Sequence, residues 1–369
     1  MAAEKLYYKD VYQRKFHAKV VQCRPGKKGY EVALDQTAFY PEGGGQPYDT
    51  GTLGKAKVLE VHSKDGEVWH DTDCPLEVGS QVEGNIDWDR RFDLMQQHSG
   101  EHLVSGLIHE KYGYDNVGFH MGEDLITIDL NGVLTREELE EIEEKVNAYL
   151  WTNQKVHIFY PEEHERDQVE YRSKKEIEGE LRLVAFPGAD CCACCGLHVE
   201  YTGEIGLVKL LSVKHFREGV RIEMVSGKRA FTLLNTHLQS NSEIAVALSA
   251  KAGETAAAVN RLQEENYQLK GQMMKLNNEH FHRRAEQSEG KGDVVFFESS
   301  MEAAEVRKEA DKILDVCDGI CVVLSGEDGQ GYKYAIGCRE GDIRPVLKEM
   351  NMALSGRGGG KPFFAQGSL

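Results

Sequence analysis

The chain reads Asp-Cys-Cys-Ala-Cys-Cys-Gly-Leu-His from Asp190 to His198, with four cysteines in five positions. In this stretch Cys194 and His198 lie four residues apart, and about a hundred residues upstream His98 and His102 have the same spacing. On a helix, side chains four positions apart share one face and lie about 5–6 Å from each other. Two such pairs, brought together, offer three imidazoles and one thiolate, a set that zinc binds tetrahedrally.

Other interpretations of this stretch remain open at the level of spacing. Cys191 with Cys194, and Cys192 with Cys195, are both Cys-x₂-Cys pairs, which are typical of redox sites and of metal sites. A pair of histidines four positions apart on a helix is more often an ordinary structural feature. Four clustered cysteines favour a metal when a chain carries no secretory signal. The spacing does not choose among these alternatives.

Composition limits the classes of partner. The 369-residue chain is 40% hydrophobic, which is enough for packed cores in two or three domains. Its net charge of −17 and pI of about 5.3 argue against bulk nucleic-acid binding, so an RNA partner would need a local basic patch and would bind with marked salt dependence. Its first residues form no apolar signal core, and no apolar run is long enough to span a membrane. We therefore expect a cytoplasmic protein with reduced cysteines and no membrane partner.

Hydrophobic periodicity and turn signals predict an α+β protein with four domains. The first is a small β-barrel, the second an α/β domain of helices over an antiparallel sheet, the third a helical arm and the fourth a C-terminal α/β domain. In the second domain, a helix over residues 93–109 carries His98 and His102 on one face, and a capping box at Thr135 opens another helix. The four predicted domains cover residues 1–88, 89–230, 231–288 and 289–369.

The predicted arm shows heptad spacing over six heptads. Gly253 interrupts the pattern, so two packed helices and one long rod are both compatible with it. The arm is either a spacer or a dimerisation element, and a homodimer through this arm or through the C-terminal domain is a further expectation. One seam contains Leu234, Asn241, Leu248, Thr255, Leu262, Leu269 and Leu276, and the other Leu238, Ala245, Ala252, Val259, Asn266, Met273 and His280.

Two glycine-rich segments are candidate binding elements. Gly43–Gly45 precede Gln46, and their amides can approach a ligand closely, although a plain hairpin loop fits equally well. Near the C-terminus, Arg357 and Lys361 flank Gly358–Gly360, a pattern that suits contact with phosphate. A disordered tail is the alternative there, and the aromatic residues that follow argue against it.

These motifs together resemble the free-standing alanyl-tRNA editing proteins, AlaX, in their long form. They are also similar to the editing domain and the C-terminal domain of alanyl-tRNA synthetase, the latter of the type associated with Asp-His-His phosphoesterases. The resemblance runs through nearly the whole chain, with order and spacing in agreement. The matching segments are 39–47, 95–98 with His102, 118–120, Asp190 with 193–194, 198–199, 202–206, 221–223, the heptads and 358–362.

The resemblance implies one zinc ion per chain and hydrolysis of tRNA(Ala) charged with the wrong amino acid, serine or glycine. This chain departs from the family pattern at Cys195 and Leu197, where the family usually has glycine and threonine, and loss of the threonine hydroxyl could change the amino-acid preference. The extra thiols of Cys191, Cys192 and Cys195 could compete for zinc or make the site sensitive to oxidation. The implied zinc ligands are His98, His102, Cys194 and His198. The candidate catalytic residues are Gln46, Thr37 and Glu101. The candidate substrate and tRNA contacts are Gly43, Gly44, Gly45, Arg357, Gly359 and Lys361.

Three other functions are alternatives to this one. A non-catalytic tRNA-binding module with a structural zinc fits a complete set of four protein ligands, since catalytic zinc usually keeps an open position. A phosphoesterase is disfavoured because the chain contains no Asp-His-His triplet. A tRNA ligase is disfavoured because the sequence starts with the predicted barrel and leaves no room for an aminoacylation domain.

Overall fold

The computed structural model describes residues 3–173 and 180–369. These residues form two compact units, Met1–Ser240 and Asn241–Leu369. The predicted α+β class is confirmed, with seven α-helices and several sheets within the described ranges. None of the described helices is long and apolar enough to cross a membrane. The division into four domains remains a prediction.

Six strands near the N-terminus close into a barrel in the order β2-β3-β7-β6-β5-β8. The sheet closes because β8 pairs with both β5 and β2. Along β2, Phe16, Ala18 and Val20 point into the barrel core while their neighbours are exposed. A short strand and helix precede the barrel, and β4 pairs with β1 in parallel. The elements are β1 (Glu4–Lys5), α1 (Leu6–Lys9), β2 (Lys15–Gly26), β3 (Gly29–Leu34), β4 (Gln36–Thr37), β5 (Gly51–Leu53), β6 (Ala56–Lys64), β7 (Glu67–Thr72) and β8 (Gln81–Ile86).

The rest of this unit is built around one long, buried helix, α2 (Trp88–Tyr112). Asp87 caps its start by accepting from the amide of Arg90, and Gly113, in the left-handed conformation, ends it. The capping box predicted at Thr135 opens α3. Four strands form an antiparallel sheet in the order β14-β15-β10-β9, and three more form a second sheet in the order β11-β12-β13. The elements are β9 (Asn116–Met121), β10 (Ile126–Leu130), α3 (Arg136–Trp151), β11 (His157–Phe159), β12 (Leu183–Phe186), β13 (Asp190–Ala193), β14 (Val208–Phe216) and β15 (Gly219–Ser226), with 3₁₀ turns at Arg166–Gln168 and Thr202–Ile205.

The heptad region forms two helices, α4 (Gly227–Ala247) and α5 (Thr255–Ser288), separated by a 3₁₀ turn at Ala252–Glu254. Asn241, which the heptads place in a seam, instead donates to the carbonyl of Ala252 and accepts from the Thr255 hydroxyl. Along α5 the seam residues Leu262, Leu269 and Leu276 are 51%, 59% and 62% exposed. Dimerisation through this helix remains a prediction.

The C-terminal part of the second unit is a five-stranded sheet in the order β16-β17-β18-β20-β19, with β16 and β17 parallel and the other pairs antiparallel. The glycine run is neither a loop nor a tail, because it pairs with β20 as an edge strand in which every residue is exposed. The elements are β16 (Val294–Glu298), α6 (Ala303–Leu314), β17 (Cys321–Glu327), β18 (Gly331–Gly337), α7 (Arg344–Ala353), β19 (Arg357–Lys361) and β20 (Phe364–Ser368).

A fully buried ion pair joins the barrel to α2. Arg91 on α2 donates through Nε to both carboxylate oxygens of Asp49 at 3.1 Å, and through Nη2 to Asp49 and the carbonyl of Ala38. Asp49 also accepts from the amide of Tyr40 at 2.6 Å. Both charged side chains are 0% exposed. The segment that leads into Gly43–Gly45 is therefore held against the helix that carries His98 and His102.

Replacing Asp49 by alanine leaves the Arg91 guanidinium buried without a counter-charge. We expect Asp49→Ala to lower the free energy of unfolding of this unit by about 3–5 kcal/mol, measured by urea denaturation. The matched control is Glu140→Ala, which removes a carboxylate from an exposed pair with Arg136 and is expected to change that free energy by less than about 0.5 kcal/mol. Equal effects of the two substitutions would contradict the role given to Asp49.

Candidate metal centre

Four side chains converge on one point in the N-terminal unit: His98, His102, Cys194 and His198. Their ligand atoms all lie within 4.8 Å of one another. Helix α2 presents the first two from successive turns, with ring centroids 5.3 Å apart. The other two come from the segment after β13, which is irregular rather than helical. The helical reasoning was therefore wrong for Cys194 and His198, although these two residues do meet.

Each imidazole is oriented by a hydrogen bond at Nδ1. His98 Nδ1 lies 2.9 Å from Gln46 Oε1, and His102 Nδ1 lies 2.9 Å from Asp190 Oδ2. His198 Nδ1 lies 3.2 Å from the hydroxyl of Ser99. Because a second partner holds each Nδ1, the Nε2 atoms remain to face the thiol. Partners of this kind are typical of metal-binding histidines.

The spacing of the donor atoms fits a tetrahedral ion. The sulfur of Cys194 lies 3.5 Å from His98 Nε2 and 3.5 Å from His198 Nε2. Zinc bonds of about 2.3 Å to sulfur and about 2.0–2.1 Å to nitrogen, at a tetrahedral angle, place sulfur and nitrogen about 3.6 Å apart. The three histidines are each 1–3% exposed and Cys194 is half-buried, so the imidazole side of the cluster is shielded from water. These residues can hold one zinc ion.

The electrostatics of the cluster favour a thiolate. Burial by itself raises the pKa of Cys194, but the charge of His98 and hydrogen bonds from all three imidazoles outweigh burial and hold that pKa well below its usual value. Burial and the neighbouring histidines lower the pKa of His198 to about 3. Burial opposes protonation of His102 as well, yet its hydrogen bond to Asp190 prevails and raises its pKa to about 10. A thiolate is the form of cysteine that binds metals.

The remaining cysteines of the stretch stand outside the four-residue cluster. Burial raises the pKa of Cys192, which forms a second group of potential ligands with His102 and Asp190. Cys195 is exposed and Cys191 half-buried, and both are free thiols. Within the part of the chain that the structure describes, no group of three or more potential ligands contains two cysteines. The geometry thus favours the His₃Cys set over either Cys-x₂-Cys pair.

The glycine run folds into a tight turn that delivers Gln46 to the cluster. Gly43 and Gln46 exchange backbone hydrogen bonds, and Gly44 and Gly45 between them have φ of +60° and +81°. A Cβ on Gly45 would lie 2.5 Å from the ring of Phe119, which stacks on His98. Positive φ and this close contact explain why glycine stands here.

Gln46 itself is completely buried. Its Oε1 accepts from His98 and from the amide of Leu197, both at 2.9 Å, whereas its Nε2 has no hydrogen-bond partner. One end of this amide therefore fixes the cluster, and the other end is a buried donor that no acceptor satisfies among the described residues. The Leu197 side chain is 0% exposed and belongs to the hydrophobic core, so it is not available to a substrate in this conformation.

The other two candidate catalytic residues lie beside different partners. Thr37 is buried in the barrel, where its hydroxyl lies 2.8 Å from His70 Nε2 and accepts from the amide of Phe39. Glu101 is 2% exposed rather than on the surface, and its carboxylate accepts from Ser105 and from Asn116. Neither residue is a member of the four-residue cluster.

Sequence reasoning missed the residues that support the cysteine segment. Arg182 donates to the carbonyls of Cys194 at 2.6 Å and Gly196 at 3.0 Å. Arg172 donates to Asp190 at 2.8 Å, on the oxygen opposite the one that faces His102. The only sequence signal was positional, because both arginines lie shortly before the cysteine cluster.

The C-terminal candidates lie in the second unit. Arg357, Gly359 and Lys361 occupy one face of the exposed edge strand β19, because alternate residues of a strand point the same way. Within the described ranges, neither Arg357 nor Lys361 forms an ion pair, and the Lys361 ammonium lies 5.9 Å from the ring centre of Phe363.

Comparison with known proteins places these features in one class. Residues 3–90 match the family described as tRNA synthetases class II (A), and residues 181–223 match the second additional domain of threonyl and alanyl tRNA synthetases. The chain thus shares modules with the class II aminoacyl-tRNA synthetases.

Individual relatives narrow the class to one family. The chain is 33% identical over 249 residues to alanyl-tRNA editing protein AlaX-L of Pyrococcus horikoshii, covering 64% of this chain and 61% of that protein. It is 31% identical to alanyl-tRNA editing protein Aarsd1 of Mus musculus, over 70% of this chain and 67% of that one. It is 32% identical to alanine–tRNA ligase of Halorubrum lacusprofundi, over 99% of this chain and 42% of the ligase. The chain belongs to the family of free-standing alanyl-tRNA editing proteins.

One solved structure is similar to part of the chain. It is the C-Ala domain of alanyl-tRNA synthetase from Aquifex aeolicus, 25% identical, with 21% of this chain and 72% of that domain covered. The TM-score is 0.18, which is too low to support a statement about the fold.

The glycine turn offers a test with an internal reference. Gly45 and Gly66 have nearly the same φ, +81° and +82°, but a Cβ at Gly66 meets no atom within 4 Å. We expect Gly66→Ala to lower the free energy of unfolding by about 1 kcal/mol through strain alone. Gly45→Ala should cost about 1–3 kcal/mol more, because Phe119 and the stacked His98 must shift. Equal losses in urea denaturation would show that the turn is not packed against His98.

Proposed function

We propose that this chain hydrolyses the ester bond between tRNA(Ala) and a wrong amino acid, serine or glycine. The main support is the cluster of three imidazoles and one thiolate. Relatives of the chain are named alanyl-tRNA editing proteins. The aminoacyl ester needs a positioned water and donors for the oxyanion that develops on its carbonyl.

In this proposal His98, His102, Cys194 and His198 hold one zinc ion per chain. A bound zinc ion would give the surrounding residues a fixed scaffold, and it would polarise the ester carbonyl only through a fifth ligand position. Four protein ligands fill a tetrahedral shell, which is the pattern of a structural site. The reaction therefore depends on polar groups of the chain beside the cluster.

Gln46 is the foremost of these groups. Its carbonyl oxygen is occupied by His98 and Leu197, so the side chain cannot rotate freely, and its buried Nε2 has no partner. A buried amide donor without an acceptor costs free energy, which a ligand oxygen at this position would recover. We infer that Nε2 donates to the ester carbonyl or to the attacking water.

Thr37 and Glu101 remain secondary candidates. The Thr37 hydroxyl would have to exchange its contact with His70 for one with the substrate before it could select serine over alanine. A site that pairs with a hydroxyl discriminates strongly against an analogue that lacks one, because its own polar groups are then left unpaired. Glu101 would act as a base only by releasing Ser105 or Asn116.

We propose that β19 contacts the tRNA body. The chain carries a net charge of −17, so phosphates must be met by a local group of unpaired cations. Arg357 and Lys361 meet this requirement, whereas Arg339 and Arg344 are paired with aspartates. The exposed glycines between Arg357 and Lys361 let a phosphate approach the strand closely.

The reaction is tested with serine-charged and alanine-charged tRNA(Ala) in parallel. We expect the intact protein to release serine faster than alanine, and Cys194→Ala to abolish release because it removes the thiolate from the cluster. Cys191→Ala is the matched control, since it removes a thiol of the same stretch that lies outside the cluster, and it should retain activity. Folding of each variant is checked by circular dichroism.

Two results would overturn the proposal. Absence of release from serine- and glycine-charged tRNA(Ala) by folded, zinc-loaded protein would favour a non-catalytic tRNA-binding module with a structural zinc. Full activity of Cys194→Ala would separate the activity from the cluster.

The tRNA contact is tested by replacing both strand cations. We expect Arg357→Ala combined with Lys361→Ala to weaken tRNA binding about tenfold at low salt. The logarithm of the tRNA association constant falls linearly with the logarithm of the salt concentration. The magnitude of that negative slope should decrease by about 2, because two phosphate contacts are lost. Arg344→Ala is the control, since Arg344 is paired with Asp342, and it should leave the slope unchanged. An unchanged slope in the double variant would remove β19 from the interface.

A further inference from the structure

A separate group of potential metal ligands lies in the unit of residues 241–369. His280 of α5, Glu298 at the end of β16 and Glu309 of α6 point their polar atoms at one another, with all ligand atoms within 4.8 Å. His280 Nε2 lies 3.1 Å from Glu298 Oε1 and 3.7 Å from Glu309 Oε1. Three separate elements thus contribute one donor each.

Glu309 is an unusual carboxylate in this group. It is 0% exposed, and neither of its oxygens has a hydrogen-bond partner. The nearby guanidinium of Arg284 donates to Glu298, at 2.8 and 3.1 Å. A buried charge without a partner is strongly disfavoured, so either a proton or a cation must neutralise Glu309. Burial and the neighbouring charge of Glu298 raise the pKa of Glu309 to about 8, against the lowering effect of the Arg284 charge.

We propose that His280, Glu298 and Glu309 bind a divalent transition-metal ion of the zinc or manganese class. Metal–ligand bonds of about 2.1 Å put neighbouring donors about 3.0 Å apart in an octahedral shell and about 3.4 Å apart in a tetrahedral one. The observed separations of 3.1 and 3.7 Å need only small adjustments. One imidazole with two carboxylates is a set that suits these ions.

The surroundings allow an ion to enter and complete its shell. The His280 side chain is 35% exposed and the Glu298 side chain 11% exposed, so solvent reaches the outer side of the group. Three protein donors leave at least one position for water. The ion would fasten the C-terminal half of α5 to β16 and α6, beside the hydrogen bond from Asn277 to Glu305.

The test counts cobalt ions bound by the metal-stripped, full-length protein. Cobalt in the His₃Cys cluster has a thiolate charge-transfer band, whereas cobalt held by His280, Glu298 and Glu309 has none. We expect the wild type to bind two equivalents, with the thiolate band saturating after one. Glu309→Gln should bind one equivalent fewer than the wild type, whether or not the thiolate band appears. The cobalt count of Glu309→Gln therefore tests the proposed second site even if the His₃Cys cluster binds no cobalt.

Two further variants complete the design. Glu279→Gln makes the same chemical change at an exposed neighbouring position of α5 and should keep the wild-type count. His280→Gln replaces a partly exposed ligand, so its cobalt count provides the test if Glu309→Gln does not fold. The proposal is overturned if the folded ligand variants bind as many equivalents as the wild type. It is equally overturned if all cobalt in the wild type is accounted for by the thiolate band, which would leave protonation as the means of neutralising Glu309.

Discussion

The arrangement of the candidate centre depends on hydrogen bonds to the far side of three imidazole rings. Gln46, Asp190 and Ser99 each hold one Nδ1, and the three Nε2 atoms are left to face Cys194. An imidazole that lacked such a partner could rotate or change tautomer and would present a poorer ligand. The orienting groups come from the barrel, from β13 and from α2, so the cluster needs most of the unit to be folded.

The barrel contributes to the site through close packing as well as through Gln46. The Arg91–Asp49 pair holds the barrel against α2, and the two-glycine turn brings the backbone next to Phe119 and the cysteine segment. Tyr40 donates to the carbonyls of Gly43 and Cys195, which joins the turn to that segment directly. The candidate centre is therefore formed jointly by the barrel and by the part of the unit that is built around α2.

Short sequence patterns correctly predicted features that depend on residues close together in the chain. The spacing of His98 and His102 placed both on one face of a helix, and Thr135 capped the helix that its capping box predicted. The spacing offered the shared ligand set as one of several alternatives, and only family resemblance singled it out, because Cys194 and His198 lie in irregular backbone whose path no periodicity encodes.

The supporting contacts could not be predicted, since they join residues far apart in the chain. Gln46 and His98 are 52 positions apart, and His102 and Asp190 are 88 positions apart. The sequence of Gly358–Gly360 left a disordered tail as the alternative to a phosphate contact, and it did not reveal the pairing with β20 that makes this segment an edge strand. Tertiary contacts decide whether such a segment pairs with another strand, and a single sequence does not show those contacts.

X-ray absorption at the zinc edge, on protein loaded with one equivalent of zinc, distinguishes the possible ligand sets. A His₃Cys centre gives one sulfur scatterer at about 2.3 Å and three nitrogen scatterers at about 2.0–2.1 Å. Two or more sulfur scatterers would instead assign the metal to a Cys-x₂-Cys pair of the 191–195 segment. Absence of sulfur would remove Cys194 from the shell, and either result would contradict the His₃Cys centre.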